Sequence, residues 1–291
     1  MRLVTFRDAR GTRIGALDEA GKVLDLPAAD PSLPRDMLAL IAGGEAALAA
    51  ARAAEDKASV AEGATILAPI PRPAKNIFCV GKNYHEHAKE FASSGFDATA
   101  KEVVPEAPVV FSKPPTSVIG PHDPIPSFLD SSNSTDYEGE IAVVIGRGGR
   151  GISEAEAYAH IFGYTIVNDV TARTLQHKHR QWILGKGIDG FCPMGPAIVT
   201  ADAAGVPPKL SISTWVNGEL RQRASVDDLI FGIPTLIATI SAAITLEPGD
   251  IIATGTPAGV GIGFTPPKFL KPGDKVRIEV PGIGVLENPV A

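Results

Sequence analysis

Glycine and proline interrupt this chain from end to end. Its 291 residues include 30 glycines and 25 prolines, which are scattered between short apolar runs rather than collected in one tract. Both residues disfavour the interior of a long helix or of a central strand, so an element meets a break soon after it begins. The sequence therefore predicts many short strands and turns.

The order of the predicted elements indicates the fold class. Strand-like segments after residue 75 are 76–80, 108–111, 138–145, 164–168, 210–216, 251–254 and 276–280, and Asn217-Gly218 predicts a hairpin with a type I′ turn. The helix candidates are 84–91, 153–160, 171–181 and 226–244. Because strands outnumber helices and do not alternate with them regularly, we predict an α+β fold rather than a doubly wound parallel sheet.

The first 70 residues are predicted to form a small N-terminal α+β domain. Three short strands, 2–6, 13–17 and 22–26, precede an alanine-rich segment, 34–57, which reads as one helix or as two separated at Gly43-Gly44. The proline-rich stretch 68–73 is an extended connector. We place the domain boundary there, with a larger domain over residues 75–291.

The charge balance excludes a general nucleic-acid or anionic-membrane binder. The chain has 27 Lys and Arg residues against 33 Asp and Glu residues, whereas such binding needs a clustered excess of positive charge. Cys79 and Cys192 are too few for a disulfide scaffold or a CxxC zinc site. They suit a reducing cytoplasm, and the N-terminus lacks the apolar run of a secretory signal. The uncharged run 229–246 has helical spacing and predicts a core helix rather than a membrane span.

Two carboxylates lie at the start of an apolar strand. In segment 138–145 the period of two places Glu138 and Glu140 on one face, which Ala142 and Val144 continue into the core. Neighbouring carboxylates that are removed from water repel each other unless a cation binds them. The alternative is a solvated strand end with both acids in water.

A second strand ends in a third acid, Asp169, just before a polar helix. Asp169 either caps that helix or faces Glu138 and Glu140 as a third carboxylate. Three oxygen donors with open positions suit Mg²⁺, Mn²⁺ or Ca²⁺, whereas zinc prefers histidine or cysteine ligands.

A histidine and a glutamate are spaced for contact on a predicted helix. His87 and Glu90 are i and i+3 neighbours, and a carboxylate that orients an imidazole makes it a general base near neutral pH. Two alternatives remain open, a metal site that also uses His85 and an exposed polar helix.

Several cations and a glycine-rich turn fall in the same segments. Lys113, Arg173 and Lys186 are positioned in sequence to bind an anionic substrate, although each alone reads equally as a surface residue. The turn 253–261 follows an apolar strand and offers backbone N–H groups to an anion. It matches neither a Walker loop nor G-x-G-x-x-G, and the chain has no G-x-S-x-G elbow.

Together, and in this order, these segments resemble the fumarylacetoacetate hydrolase family. The similarity covers roughly residues 75–290. Its motifs are Gly81-Lys82-Asn83-Tyr84 with His87 and Glu90, Phe111-Ser112-Lys113-Pro114, Tyr137-Glu138-Gly139-Glu140, Asn168-Asp169-Val170-Thr171-Ala172-Arg173, Gly190-Phe191-Cys192-Pro193-Met194-Gly195-Pro196, Val216-Asn217-Gly218-Glu219 and the turn from Thr254 to Gly261.

The resemblance implies a mixed β-roll catalytic domain, a homodimer and a set of residue roles. By this similarity Glu138, Glu140 and Asp169 ligate the divalent metal, Mg²⁺ with Mn²⁺ or Ca²⁺ as alternatives, and His87 with Glu90 activates water. The residues implied to contact the substrate are Lys186, which is also catalytic, with Arg173, Gln176, Thr256, Lys113 and Tyr84.

The implied reaction is hydrolysis of a C–C bond in an acylpyruvate-type 1,3-diketo acid, so that a small anionic 2-oxo acid is the partner. Animal fumarylacetoacetases carry an aspartate where Val80 stands, which argues against fumarylacetoacetate itself. Decarboxylation of oxaloacetate-like acids and isomerisation of hydroxymuconate-type dienes are alternatives at the same metal site. A non-catalytic Ca²⁺-binding module is an alternative of another class. We expect residues 91–108 to form a mobile lid that selects the acyl tail.

Overall fold

The computed structural model describes residues 1–97 and 103–291, in which many short strands surround a few helices. The strands are β1 (Arg2–Asp8), β2 (Gly11–Leu17), β3 (Val23–Asp25), β4 (Thr65–Ile66), β5 (Ile77–Gly81), β6 (Val109–Lys113), β7 (Val118–Ile119), β8 (Thr135–Asp136), β9 (Gly139–Ile145), β10 (Ile161–Asn168), β11 (Thr171–Ala172), β12 (Cys192–Thr200), β13 (Ser211–Val216), β14 (Glu219–Ser225), β15 (Ile251–Ala253), β16 (Lys275–Val280) and β17 (Gly284–Pro289). The α-helices are α1 (Leu26–Ala29), α2 (Met37–Ala42), α3 (Gly44–Glu55), α4 (His85–Ser93), α5 (Arg173–His179), α6 (Ile183–Lys186), α7 (Ala201–Ala204) and α8 (Ile233–Ala243).

The strands form one large mixed sheet and two smaller sheets. The large sheet has the order β3-β2-β1-β12-β10-β9-β15-β5-β6, with β4 beside β1 and β7 beside β12. A four-stranded antiparallel sheet has the order β14-β13-β16-β17, and β11 pairs with β8. Parallel pairs are confined to β15 with β5 and β12 with β7 within the described residues. The α+β class is therefore confirmed.

Strand β9 shows why the large sheet is buried on both faces. Ile141, Val143 and Ile145 pack in one apolar cluster with residues of β13, β16 and α8. Ala142 and Val144, which point the other way, pack in a second cluster with residues of α2 and α3. The alternation predicted from the sequence is thus present, and both faces exclude water.

The sheet is continuous across the predicted domain boundary. β1 pairs with β12, so that Arg2 lies opposite Val199, and the second apolar cluster contains Leu3 as well as Ile198. The division at residues 70–75 stays a prediction. Helices α2 and α3 meet at Gly43, where the sequence suggested a break.

Three predicted helices are wrong in extent. In 153–160 only Ala157–His160 forms a 3₁₀ turn, because the Ile152 N–H donates to Ser241 and β10 begins at Ile161. In 226–244 the α-helix begins at Ile233, where Gly232 and a proline mark its N-terminus.

The third helix, α5, begins at Arg173, because Thr171–Ala172 pairs with β8. Strand β12 was also missed, since prolines disfavour a central strand. Its pairing with β10 shifts register between Tyr164 and Ile166, opposite the segment that contains Pro196.

The uncharged run 229–246 contains the helix α8, whose apolar side packs into the core. Among the helices of the described residues, none has the length and apolar character needed to span a bilayer. Cys79 and Cys192 are both buried free thiols.

Candidate active site

Antiparallel pairing of β9 with β10 brings the three predicted carboxylates together. Val167 lies opposite Glu140, and the Asp169 N–H donates to the main-chain oxygen of Glu138 at 2.8 Å. One carboxylate oxygen from each of Glu138, Glu140 and Asp169 lies within 4.8 Å of the other two. All three side chains are buried. The structure thus supports the clustered arrangement rather than the solvated strand end.

The carboxylates differ in acidity because their neighbours differ. Burial opposes ionisation of Glu138, but Lys186 and Arg173 outweigh it and lower its pKa to about 2. Burial and the adjacent charges of Asp169 and Glu138 raise the pKa of Glu140 well above its usual value. The ion pairs of the described residues reach Glu138 and Asp169 but not Glu140, so an added cation would stabilise the ionised cluster, and the donor set fits a divalent cation.

Two lysines contact the carboxylates from different sides. Lys186 Nζ donates to Glu138 Oε2 and to Asp169 Oδ2, each at 2.7 Å. Lys113 Nζ donates to Asp169 Oδ1 at 2.7 Å and to the main-chain oxygens of Val170 and Lys186. Lys113 is therefore saturated by protein acceptors and anchors Asp169, which differs from the substrate contact that the resemblance implied.

Arg173 binds three side chains of the protein, and one of its guanidinium nitrogens is left without a partner among the described residues. Its Nε donates to Asp136 Oδ2 at 2.9 Å, and its Nη1 contacts Glu138 Oε1 at 2.6 Å and Gln176 Oε1 at 3.3 Å. Its Nη2 is buried without a hydrogen-bond partner among the described residues. A buried donor of this kind suits an anionic oxygen of a ligand.

The predicted His87–Glu90 contact is present on α4. His87 Nδ1 lies 3.1 Å from Glu90 Oε2, and Glu90 Oε1 accepts from the Gly259 N–H at 3.0 Å. With Nδ1 held by the carboxylate, Nε2 is the free ring nitrogen. His85 is exposed, and the metal-ligating cluster found in the described part of the chain consists of the three carboxylates. The structure therefore does not support the metal site built on His85.

These side chains surround a cavity with about 290 Å³ of empty space, part of which is open to solvent. The predicted residues that line it are His87, Glu138, Glu140, Arg173, Gln176, Lys186 and Thr256. Lys113, Glu90, Asp169 and Tyr84 lie behind this lining. Thr256 Oγ1 donates to the Gly139 oxygen and accepts from Gln222 Nε2, so its hydroxyl braces the loop against β9.

Part of the cavity wall was not predicted from the sequence. Lys82, Phe91, Phe111 and Trp182 also line the cavity. Lys82 stands inside a quoted motif, and Trp182 is one of two tryptophans in the chain, which was the available signal. Gln222 gave no signal, because its contact with Gly139 joins residues 83 positions apart.

The predicted lid falls partly outside the described residues, which omit 98–102. Phe91 at its start lines the cavity, and the ring of Phe96 lies 6.0 Å from that of Phe269 and 6.5 Å from that of His177. The lid function stays a prediction.

Residues 76–291 match the sequence model of a known family, described as the C-terminal domain of fumarylacetoacetate (FAA) hydrolase. The chain belongs to the fumarylacetoacetate hydrolase family. Recognition from the ordered motifs is thereby confirmed.

Relatives within the fumarylacetoacetate hydrolase family carry several activities in their names. Oxaloacetate tautomerase YisK of Bacillus subtilis is 46% identical over 295 residues, 95% of each chain. Human mitochondrial oxaloacetate tautomerase FAHD2A is 42% identical over 298 residues, all of this chain and 91% of its own.

Two solved structures of the family share the fold. A fumarylacetoacetate hydrolase from Exiguobacterium antarcticum superposes with a TM-score of 0.84 at 41% identity, covering 100% of this chain and 99% of its own. Maleylpyruvate hydrolase from Sphingobium, solved with manganese(II) and pyruvate, has a TM-score of 0.78 at 33% identity, covering 100% and 99%. The fold prediction of the fumarylacetoacetate hydrolase type is thus confirmed, and the chain is a member of an enzyme family.

Proposed function

We propose that this protein is a divalent-metal-dependent tautomerase that interconverts the keto and enol forms of oxaloacetate or a close 2-oxo acid. The observation that carries proton transfer beside the metal site is the His87–Glu90 pair, whose histidine lines the same cavity as Glu138 and Glu140. Full-length similarity to proteins named oxaloacetate tautomerases supports it. This replaces hydrolysis, the first reading of the sequence, with an isomerisation of the kind kept there as an alternative.

The carboxylate cluster fits a divalent cation, which we propose to be Mg²⁺. Glu138, Glu140 and Asp169 would hold it, and when bound it supplies Lewis-acid polarisation of the 2-oxo group. Mn²⁺ and Ca²⁺ accept the same oxygen ligands. The side chains of the protein bind the negative charges of the substrate and transfer its proton.

His87 moves the proton. Its Nε2 removes a proton from C3 of the 2-oxo acid and returns a proton to the C2 oxygen, so that a C–H bond is exchanged for an O–H bond. Glu90 keeps Nδ1 protonated and stabilises the imidazolium that forms. Arg173 Nη2 binds the C1 carboxylate, and Lys186 stabilises the negative charge that develops on the C2 oxygen.

Hydrolysis is the second candidate, because the Sphingobium relative is named a maleylpyruvate hydrolase and shares the fold. In that reaction His87 would deprotonate water instead of C3. The same residues serve both reactions, so the products must separate them.

The test follows the loss of enol absorbance from freshly dissolved oxaloacetate, with Mg²⁺ and with EDTA, while pyruvate and carbon dioxide are measured in parallel. We expect faster keto–enol equilibration in the presence of Mg²⁺, without pyruvate release. In His87→Ala we expect metal binding to persist and the rate to fall by about 10²–10⁴-fold.

Other products would identify other reactions. Pyruvate and an acid from acylpyruvates, without accelerated tautomerisation, would establish the hydrolase. Carbon dioxide from oxaloacetate would establish a decarboxylase, and inactivity with every metal would leave a cation-binding module.

A further inference from the structure

The cavity contains a cation that the proposed reaction does not use. Lys82 follows β5, has a left-handed backbone with φ of 55°, and its side chain is 5% exposed. It lines the cavity, and its Nζ donates to Asp97 Oδ2 at 2.6 Å. Among the described residues Asp97 is its sole hydrogen-bond acceptor, so an ammonium group with three donors has donors left for a ligand.

A row of three aromatic side chains, Phe91, Trp182 and Phe111, runs from Lys82 to Lys186. Lys82 Nζ lies 5.4 Å from the ring centroid of Phe91, which is 6.0 Å from that of Trp182. The ring centroid of Trp182 is 5.1 Å from that of Phe111, and Lys186 Nζ lies 5.0 Å from the Phe111 centroid. A lysine ammonium group therefore lies next to the first ring of this row, Phe91, and another lies next to the last ring, Phe111.

Trp182 is fixed in this position by its neighbour. A Cβ at Gly81 would lie 2.5 Å from the indole ring of Trp182. Because Gly81 has no side chain, this ring packs directly against the end of β5. The spacing between the two cations is therefore set by packed groups rather than by mobile chains.

The charged side chains at the two ends of the cavity determine which ligand group binds at each end. At the Lys186 end, the carboxylate cluster and Arg173 suit the 2-oxo acid group of the substrate, as proposed above. The proposed proton transfer gives Lys82 no role. A buried ammonium group that faces a cavity is nevertheless stabilised by an anionic group of a ligand.

We infer that Lys82 binds the distal carboxylate of the substrate and thereby selects short 2-oxo dicarboxylic acids over 2-oxo monocarboxylic acids. The inference rests on the proposed function for the orientation of the ligand, with its 2-oxo acid end at the carboxylate cluster. Lys82 is a specificity residue that leaves the chemistry at the other end unchanged.

The rival role is that of a latch. The Lys82–Asp97 ion pair joins the end of β5 to the segment beyond α4, and both side chains are almost fully buried. A latch would act on every ligand alike, whereas a carboxylate-binding residue acts on dicarboxylates alone.

The test is calorimetric binding of L-malate and L-lactate to the Mg²⁺-loaded protein. Both acids present a 2-hydroxy acid end, and malate alone adds a distal carboxylate. We expect the wild type to prefer malate, and Lys82→Met to weaken malate binding by about 10- to 100-fold, as for the loss of a charged hydrogen bond. Lactate binding should stay within about twofold, and Lys82→Arg should retain the preference for malate.

Asp97→Asn is the matched control, because it removes the ion pair and keeps the ammonium. Retention of the malate preference in Asp97→Asn, with its loss in Lys82→Met, supports the inference. Equal affinity of the wild type for both acids, equal losses for both acids in Lys82→Met, or a loss in Asp97→Asn that matches Lys82→Met would overturn it. If Lys82→Met does not fold, Lys82→Gln provides the same comparison.

The binding assay also separates this inference from the proposed function. A preference for malate that depends on Lys82, in a protein that does not tautomerise oxaloacetate, would uphold the site and refute the reaction. Tautomerase activity with no preference for malate would do the reverse.

Discussion

Asp136 illustrates how a single residue can organise a site without lining it. Its carboxylate accepts from the N–H groups of Gly261 and Ile262 at 2.7 and 3.1 Å, and from Arg173 Nε at 2.9 Å. The side chain is fully buried, and burial raises its pKa despite the opposing effect of Arg173. Asp136 therefore links the guanidinium group of Arg173, which lines the cavity, to the turn at Gly261 and Ile262, which packs on α4.

The first prediction concerns this residue. Asp136→Asn replaces an acceptor by an amide group that cannot accept from all these donors, so Arg173 loses its fixed orientation. We expect KM for the 2-oxo acid to rise about tenfold or more, with a smaller change in kcat. Steady-state kinetics measures both constants.

Asp250→Asn is the control, since Asp250 is also buried but binds Lys75 and the Glu247 N–H instead of site residues. Equal changes in KM in the two variants would contradict a positioning role for Asp136.

At the scale of elements, the 3₁₀ turn Gly261–Gly263 determines where α4 lies. A Cβ at Gly263 would lie 1.7 Å from Glu90 Oε1, so the carboxylate occupies the space that a side chain would need. Gly259, just before this turn, donates its N–H to the same oxygen. The close approach of the loop to the helix thus fixes the carboxylate that orients His87.

The second prediction is that Gly263→Ala separates α4 from this turn. Misplacing His87 by about 1 Å should lower kcat by about 10²-fold, while the carboxylate cluster keeps its metal affinity. Enzyme kinetics and Mn²⁺ titration measure the two effects. Gly232→Ala is the control, because a Cβ there meets no atom closer than 3.8 Å and its φ is −64°. A variant with unchanged kcat would show that the turn does not position the dyad.

The third prediction concerns the first three strands, which a buried ion cluster joins. Arg13 contacts Asp8 and Asp25 through hydrogen bonds of 2.6 to 3.0 Å. Hydrogen bonds from Arg13 lower the pKa of Asp8, and at Asp25 they outweigh the opposing effect of burial, so that its pKa is lowered too.

Lowered folded-state pKa values stabilise the protein above the unfolded aspartate pKa of about 3.9, and this stability is lost as pH falls through the folded values. We expect the free energy of unfolding to fall more steeply between about pH 5 and pH 3 in the wild type than in Arg13→Met. Urea unfolding at several pH values measures this slope. Arg7→Met, at an exposed position of β1, should keep the wild-type slope. An Arg13→Met slope equal to that of the wild type would assign the pH dependence to other groups.

At the scale of the whole molecule, the large sheet joins the first 70 residues to the rest. β12 pairs with β1 on one side and β10 on the other, and the apolar cluster around α2 and α3 includes residues of β9 and β15. Removing the first strands would expose an edge of the sheet and an apolar face. Homodimerisation and a cytoplasmic location stay predictions.

The fourth prediction follows from this continuity. A fragment of residues 71–291 should aggregate or lack cooperative unfolding, because its sheet loses the strands and helices that cover it. Size-exclusion chromatography and thermal unfolding of the fragment, beside the full chain, measure this. A monodisperse fragment that unfolds cooperatively and binds Mn²⁺ would establish the two-domain division.

Local periodicity was enough to predict the parts of the site that lie close together along the chain. The period of two placed Glu138 and Glu140 on one strand face, and the i, i+3 spacing placed His87 beside Glu90. The sequence also carried the family resemblance, because its motifs recur in a fixed order.

Only the tertiary structure assigned the cations and the walls of the cavity. Lys113 and Lys186 look alike in sequence, yet Lys113 is saturated behind Asp169 while Lys186 lines the cavity. Lys82 lines the cavity beside Trp182, which is 100 residues away in sequence and packs against the neighbouring Gly81. Spacing along a chain determines which residues share a face of one element, but long-range packing of several elements determines which charged groups line a cavity and can contact a ligand.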